Sequence, residues 1–143
     1  MAEPRTIRRV AFQVLFQMDI TGETDAASLV GPVADERDLS ASERDRAAAL
    51  ASDAYSTRAS ADAAVADLAP EWPPHRQPAV DRNVLRLAYH EMSSGSTPPK
   101  VAVSEAVKLA KEFSTEKSPA FVNAILDKLL KRLPEPAGPE SVG

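Results

Sequence analysis

AVDRNVLRLAYHEM, residues 79–92, carries apolar side chains round more than one side of a single helix. At about 100° per residue, Val80, Val84 and Leu87 fall together, while Leu85, Ala88, Tyr89 and Met92 spread the apolar surface over the adjoining face. A helix on the outside of a domain needs only one apolar stripe. This one is therefore expected to run through the middle, with other helices on several sides.

Working outward, SSGSTPP (93–99) breaks the chain, and VAVSEAVKLAKEF (101–113) places Val103, Ala106, Val107, Ala110 and Phe113 at helical spacing. SPAFVNAILDKLLKRL (118–133) follows, with Ser118 as an N-cap and Pro119 at the first helical position. Upstream, APEWPPHRQP (69–78) has four prolines and is expected to form a rigid corner from which Trp72 packs inward. The first helix is expected over Arg5 to Asp19, stopped by Thr21-Gly22. The acidic stretch to Leu39 reads as a connection in which Pro32 interrupts any helix. Ser40 with Glu43 fits a capping box that opens a helix to about Tyr55, and Ser60 starts a short one through Leu68. With few β-branched alternating runs, the fold class is all-α: residues 1–133 form one domain, and 134–143 a disordered polar tail without the means to pack.

Composition narrows the function. A chain of 143 residues holds one domain, with no room for a second, catalytic one. No apolar run approaches the roughly 20 residues that span a bilayer, and no secretory signal opens the chain, so a cytoplasmic location away from membranes is expected. The absence of Cys excludes disulfides, thiol catalysis and thiolate metal sites, and two separated His offer little for zinc. Neither cofactor, metal site nor enzymatic activity is expected. His90 beside Glu91 is a packing or surface residue sooner than an acid–base pair. The net charge of −4 argues against coating long nucleic acids, yet residues 1–18 hold three Arg against one Glu, and residues 100–132 seven bases against four acids. A local basic site forms if the fold joins the two ends.

Two helices carry more than a core stripe. In the first, Ile7, Ala11, Val14, Leu15 and Met18 form the core face, and Arg5, Arg9, Phe12 and Phe16 line up nearly opposite. Either another helix covers this band while the Arg stems pass along it, or an outside partner does. In the last helix, Phe121 lies at the edge of the stripe of Val122, Ile125, Leu126, Leu129 and Leu130, in line with Lys128 and Arg132. Rings beside cations suit single-stranded RNA, whose bases stack while its phosphates pair; a core plug is the alternative for Phe121. Asn123 either holds the helix by a hydrogen bond or reads a base. Lys117 adds charge at a helix start that already favours an anion.

Taken together, RRVAFQVLFQMD (8–19), WPPHRQPAVDRNVLRLAYHEM (72–92) and VAVSEAVKLAKEFSTEKSPAFVNAILDKLLK (101–131) resemble, in order and spacing, the NusB family of bacterial transcription antitermination factors. The resemblance implies about seven helices in two small bundles. It further implies binding of boxA RNA in ribosomal leader transcripts, jointly with the ribosomal protein NusE, within an RNA polymerase antitermination complex. On that likeness, Arg5, Arg8 and Arg9 match RNA-contacting positions, Phe16 and Asp81 match the NusE surface, and Phe121 matches the aromatic of the last-helix motif. Phe12 joins Phe16 in the partner band; Lys117 and Asn123 join the RNA set. Two other readings stay open: an RNA-targeting domain that acts with a ribosomal RNA methyltransferase, and a homodimeric helical module burying the Phe12–Phe16 band.

Overall fold

A computed structural model gives the structure of the protein and describes residues 4–132. The first helix, α1 (Pro4–Thr21), ends where Gly22 takes a left-handed φ of 80° and its N–H closes on the Met18 carbonyl at 2.9 Å. Six further α-helices follow among the described residues: α2 (Ala26–Glu36), α3 (Ala41–Ser56), α4 (Arg58–Leu68), α5 (Ala79–Ser94), α6 (Pro99–Phe113) and α7 (Ser118–Arg132). A 3₁₀ turn over Pro74–Arg76 makes the proline corner. The fold is all-α, and the expected tail of 134–143 lies outside the described residues.

The helices pack as two groups. α1, α2 and α3 lie against one another, and α4, α6 and α7 surround α5, which also touches α1 and α3. α5 is thus the shared helix that its apolar surface foretold, with Val84, Leu85, Leu87 and Ala88 all buried. On α3 the buried side chains are mostly alanines, Ala47, Ala51 and Ala54, at helical spacing. Small side chains let α3 lie close against α1. The capping box is present in full: Ser40 Oγ accepts from Glu43 N–H at 3.2 Å, and the Glu43 carboxylate accepts from Ser40 N–H at 2.9 Å.

Three expectations are corrected. Residues 26–36 form a helix in spite of Pro32, because Ala26, Val30, Val33 and Ala34 bury one face against α1 and α3. The proline leaves only the carbonyl of Ser28 without its helical donor, and Ser28 is exposed to water. Ser118 is the first residue of α7 instead of its cap, and its hydroxyl is turned to Asp81. Trp72 does not pack inward but stays 40% exposed. The corner is fixed instead by its backbone: Trp72 N–H donates to Ala69 O at 3.0 Å, and Gln77 Nε2 donates to Trp72 O at 3.1 Å.

Candidate nucleic-acid interface

The three arginines of α1 lie at helical spacing, and α5 and α6 supply a carboxylate for each. Arg8 is 9% exposed, and its Nε and Nη2 donate to the two Glu91 oxygens at 2.9 Å each. Its Nη1 reaches Glu105 at 3.2 Å, and Thr97 Oγ1 donates to Glu91 at 2.5 Å. Arg5 Nε pairs with Glu105 at 3.0 Å and Arg9 Nε with Glu112 at 2.8 Å. Burial works against the charge of Arg8, but the hydrogen bonds and attraction of Glu91, with Glu105 behind, hold its pKa above the usual guanidinium value. Burial likewise opposes the charge of Glu105, and hydrogen bonds from Arg5 and Lys108 outweigh it and keep the carboxyl below its ordinary range. The structure places Arg8, expected to contact RNA, as a buried clamp between α1, α5 and α6, with Nε, Nη1 and Nη2 each bonded to a carboxylate. Arg5 and Arg9 stand at the surface in pairs that a phosphate can compete for.

The aromatic band next to them splits in two. Phe12, expected on the partner surface, is 2% exposed, its ring 5.1 Å from Phe113 and 6.4 Å from Phe16, so it packs in the core at the floor of the hollow that Phe16 borders. Here another helix, α6, does cover the band. Phe16 stays half-buried and, with Gln13, Gln17, Val80 and Phe113, borders a hollow of about 280 Å³. Gln13 Oε1 is buried there with no hydrogen-bond partner among the described residues. An incoming donor would satisfy it.

Asp81 follows Val80 and is 4% exposed; its carboxylate accepts from Ser114 Oγ at 2.6 Å and Ser118 Oγ at 3.0 Å. It ties the start of α5 to the α6–α7 turn. Expected on the partner surface, Asp81 here has both carboxylate oxygens engaged within the fold. Lys117 is exposed just before α7, and Phe121 is half-buried at the lip of a cleft of about 450 Å³ shared with Trp72, Pro78 and Asp81. Asn123 lies about 200° round the helix from Phe121; it is exposed and its side chain makes no hydrogen bond among the described residues. Of the two bases in line with Phe121, Lys128 is exposed and Arg132 pairs with Asp67 of α4.

α6 connects these parts. Glu105 and Glu112 hold Arg5 and Arg9, Phe113 covers Phe12 beside Phe16, and Ser114 bonds Asp81 next to Lys117, Ser118 and Phe121. α6 thus links the two chain ends, touching α1 through Glu105, Glu112 and Phe113 and packing on α7. Trp72, Val80 and Phe113 were not singled out for this surface by sequence reasoning; two read as core, and only the prolines round Trp72 signalled an unusual position.

Among the described residues no group of His, Cys, Asp and Glu is placed to hold a metal ion. No helix among the described residues is long and apolar enough to cross a membrane. The chain belongs to the NusB family, whose model matches residues 5–131. Among its relatives, the transcription antitermination protein NusB of Herpetosiphon aurantiacus is 36% identical over 130 residues, covering 88% of each chain. That of Streptomyces coelicolor is 39% identical over 140 residues, covering 94% of this chain and 96% of its own. A crystal form of T. maritima NusB superposes with a TM-score of 0.81 at 30% identity, over 93% of this chain and 94% of that one. A NusB solved with NusE and double-stranded RNA gives a TM-score of 0.77 at 26% identity, over 90% and 96%.

Proposed function

We propose that this chain is a non-enzymatic transcription antitermination factor, which binds boxA RNA of ribosomal leader transcripts together with NusE and helps RNA polymerase resist termination. The observation that carries this reading is the surface linked by α6, where Arg5, Arg9 and Lys117 are accompanied by the half-exposed rings of Phe16 and Phe121. The relative solved with NusE and RNA supports it. In this reading Arg5 and Arg9 exchange their carboxylates for phosphates, Lys117 binds a further phosphate, Phe121 offers a ring to a base, and Asn123 leaves its amide open to another. Arg8 acts one step back by fixing the helix on which Arg5 and Arg9 ride. Phe16, Val80 and Phe113 form the face for NusE, with Gln13 Oε1 as a waiting acceptor.

The test is co-purification with NusE and binding of a labelled boxA RNA, for the wild-type chain and Phe16→Glu. A charge reversal at Asp81 would disturb the fold and is not informative. Loss of NusE from Phe16→Glu, with an unchanged melting temperature, is the expected outcome. Retention of NusE by that variant would remove the assignment of the face. A stable homodimer by light scattering that NusE and RNA leave intact would replace the adaptor with a helical dimerisation module.

A further inference from the structure

Two carboxylates of α6, Glu105 and Glu112, are set against two arginines of α1, Arg5 and Arg9. Seven residues are close to two helical turns and four are close to one, so the carboxylates share a side of α6 and the arginines a side of α1. The two carboxylates differ in what holds them. Glu105 has a side chain only 10% exposed and is shared by Arg5, Arg8 and Lys108, so its departure would take one carboxylate from the buried Arg8. Glu112, in the last turn of α6, has a third of its side chain in water and forms one ion pair among the described residues, to Arg9 Nε at 2.8 Å. Arg9 pairs with no other carboxylate among them.

A guanidinium offers the same fork of donors to a carboxylate and to a phosphate. With its Nε on Glu112, Arg9 meets an incoming strand already engaged, and a phosphate has to displace the carboxylate. Once displaced, Glu112 stays on its helix near the phosphate with a charge of the same sign. Both effects lower the affinity for RNA. The fold gains little from the pair, because a contact this open to water contributes weakly to stability. Its consequence therefore falls on binding.

We propose that Glu112 is an autoinhibitory residue: in the free protein it occupies Arg9 in place of a phosphate and holds RNA affinity below what the α1 arginines would otherwise give. The proposal rests on the RNA-binding reading above and adds to it a residue that weakens binding. Glu105 does not share this role, since it is fixed by Arg8 inside the fold. Only Glu112 can swing away without opening the buried clamp.

The test is a double-mutant cycle in the full-length chain. Anisotropy of a 5′-labelled single-stranded boxA RNA gives the dissociation constant, with and without NusE, for wild type, Glu112→Gln, Arg9→Ala and the double variant. Glutamine keeps the side-chain length and an acceptor oxygen and removes the charge; thermal melts check that all four chains fold. Glu112→Gln is expected to tighten binding about three- to fivefold, a gain that misfolding cannot produce. In the Arg9→Ala background the gain should fall to less than half, because no arginine is left to release. A gain that persists there at half its size or more would mean that Glu112 merely repels the strand, and the proposal is overturned. It is overturned equally if Glu112→Gln leaves the affinity unchanged, and the RNA-binding reading then survives wherever boxA RNA is still bound. If boxA RNA binds none of the four chains, with or without NusE, that reading falls and the autoinhibitory role with it.

Discussion

Arg8 and Arg9 are neighbours in sequence with opposite positions in the fold, and the difference fixes what each does when removed. Arg8 neutralises two buried carboxylates, Glu91 and Glu105. Arg8→Ala leaves the buried Glu91 with only the Thr97 hydroxyl, while Glu105 keeps Arg5 and Lys108, a loss of about 3–5 kcal/mol by the usual cost of breaking a buried pair. Arg9 pairs with Glu112 near the surface, where such a contact contributes about 1 kcal/mol at most. Urea unfolding should therefore show a large drop in midpoint for Arg8→Ala and little change for Arg9→Ala. RNA binding should show the reverse emphasis: Arg9→Ala reduces affinity and lowers the slope of log K against log salt by about 0.7 while its stability is kept. Equal stability losses in the two variants would contradict the assignment. The sequence showed that both were arginines on a helix start. Which one is buried depended on Glu91 and Glu105, more than 80 residues away along the chain.

At the scale of elements, α2 and the proline corner show where local signals lose to packing. Pro32 and Gly31 are both poor helix residues, yet α2 continues through them because four apolar residues on one face are buried against α1 and α3. Gly31 has helical neighbours and no positive φ, and apart from its chain neighbours nothing stands near the place of a Cβ. It precedes Pro32, whose ring disfavours helical backbone for a residue with a Cβ, so Gly31→Ala should not raise the denaturation midpoint, the gain in helix propensity of about 0.5–1 kcal/mol being offset. A rise of that full size would mean that the proline ring leaves room for the added methyl in this helix. The capping box of α3 and the glycine after α1 were legible because their chemistry is complete within three or four residues. The outward turn of Trp72 was not, since a proline-rich corner fixes the backbone path without stating which side of it faces the core.

For the whole molecule, the joint between the two helix groups is an ionic network as well as an apolar core. Asp19 at the end of α1 accepts from Arg82 Nη2 at 2.6 Å and Asn83 Nδ2 at 2.9 Å, and Arg86 Nη1 lies 3.2 Å from it. Arg86 continues to Asp62 of α4 through bonds of 2.9 and 2.6 Å. Burial raises the pKa of Asp19, but the hydrogen bonds of Arg82 and Asn83 prevail and set it below the usual 3.8. A carboxyl with a folded pKa under its unfolded one stabilises the fold above the unfolded value, and this contribution is lost as pH falls through the folded value. The urea midpoint should thus hold from pH 7 to about 5 and decline below about 4. Asp19→Asn should lose about 2 kcal/mol at pH 7, with the gap to wild type closing as the acid limb is descended. A gap independent of pH would place the stabilising charge elsewhere.

Periodicity and local chemistry determined the helical class, the central place of residues 79–92, the capping box and the stop after α1, because each is written within a few turns of chain. The resemblance in three segments determined the family in the same way. Only the tertiary structure decided that Phe12 is sealed and Phe16 is not, that Arg8 and Asp81 are spent inside the fold, and that Trp72 opens to solvent beside Phe121. Those outcomes depend on which side chain meets which across the whole domain, and a one-dimensional pattern gives the face of a helix without naming what covers it.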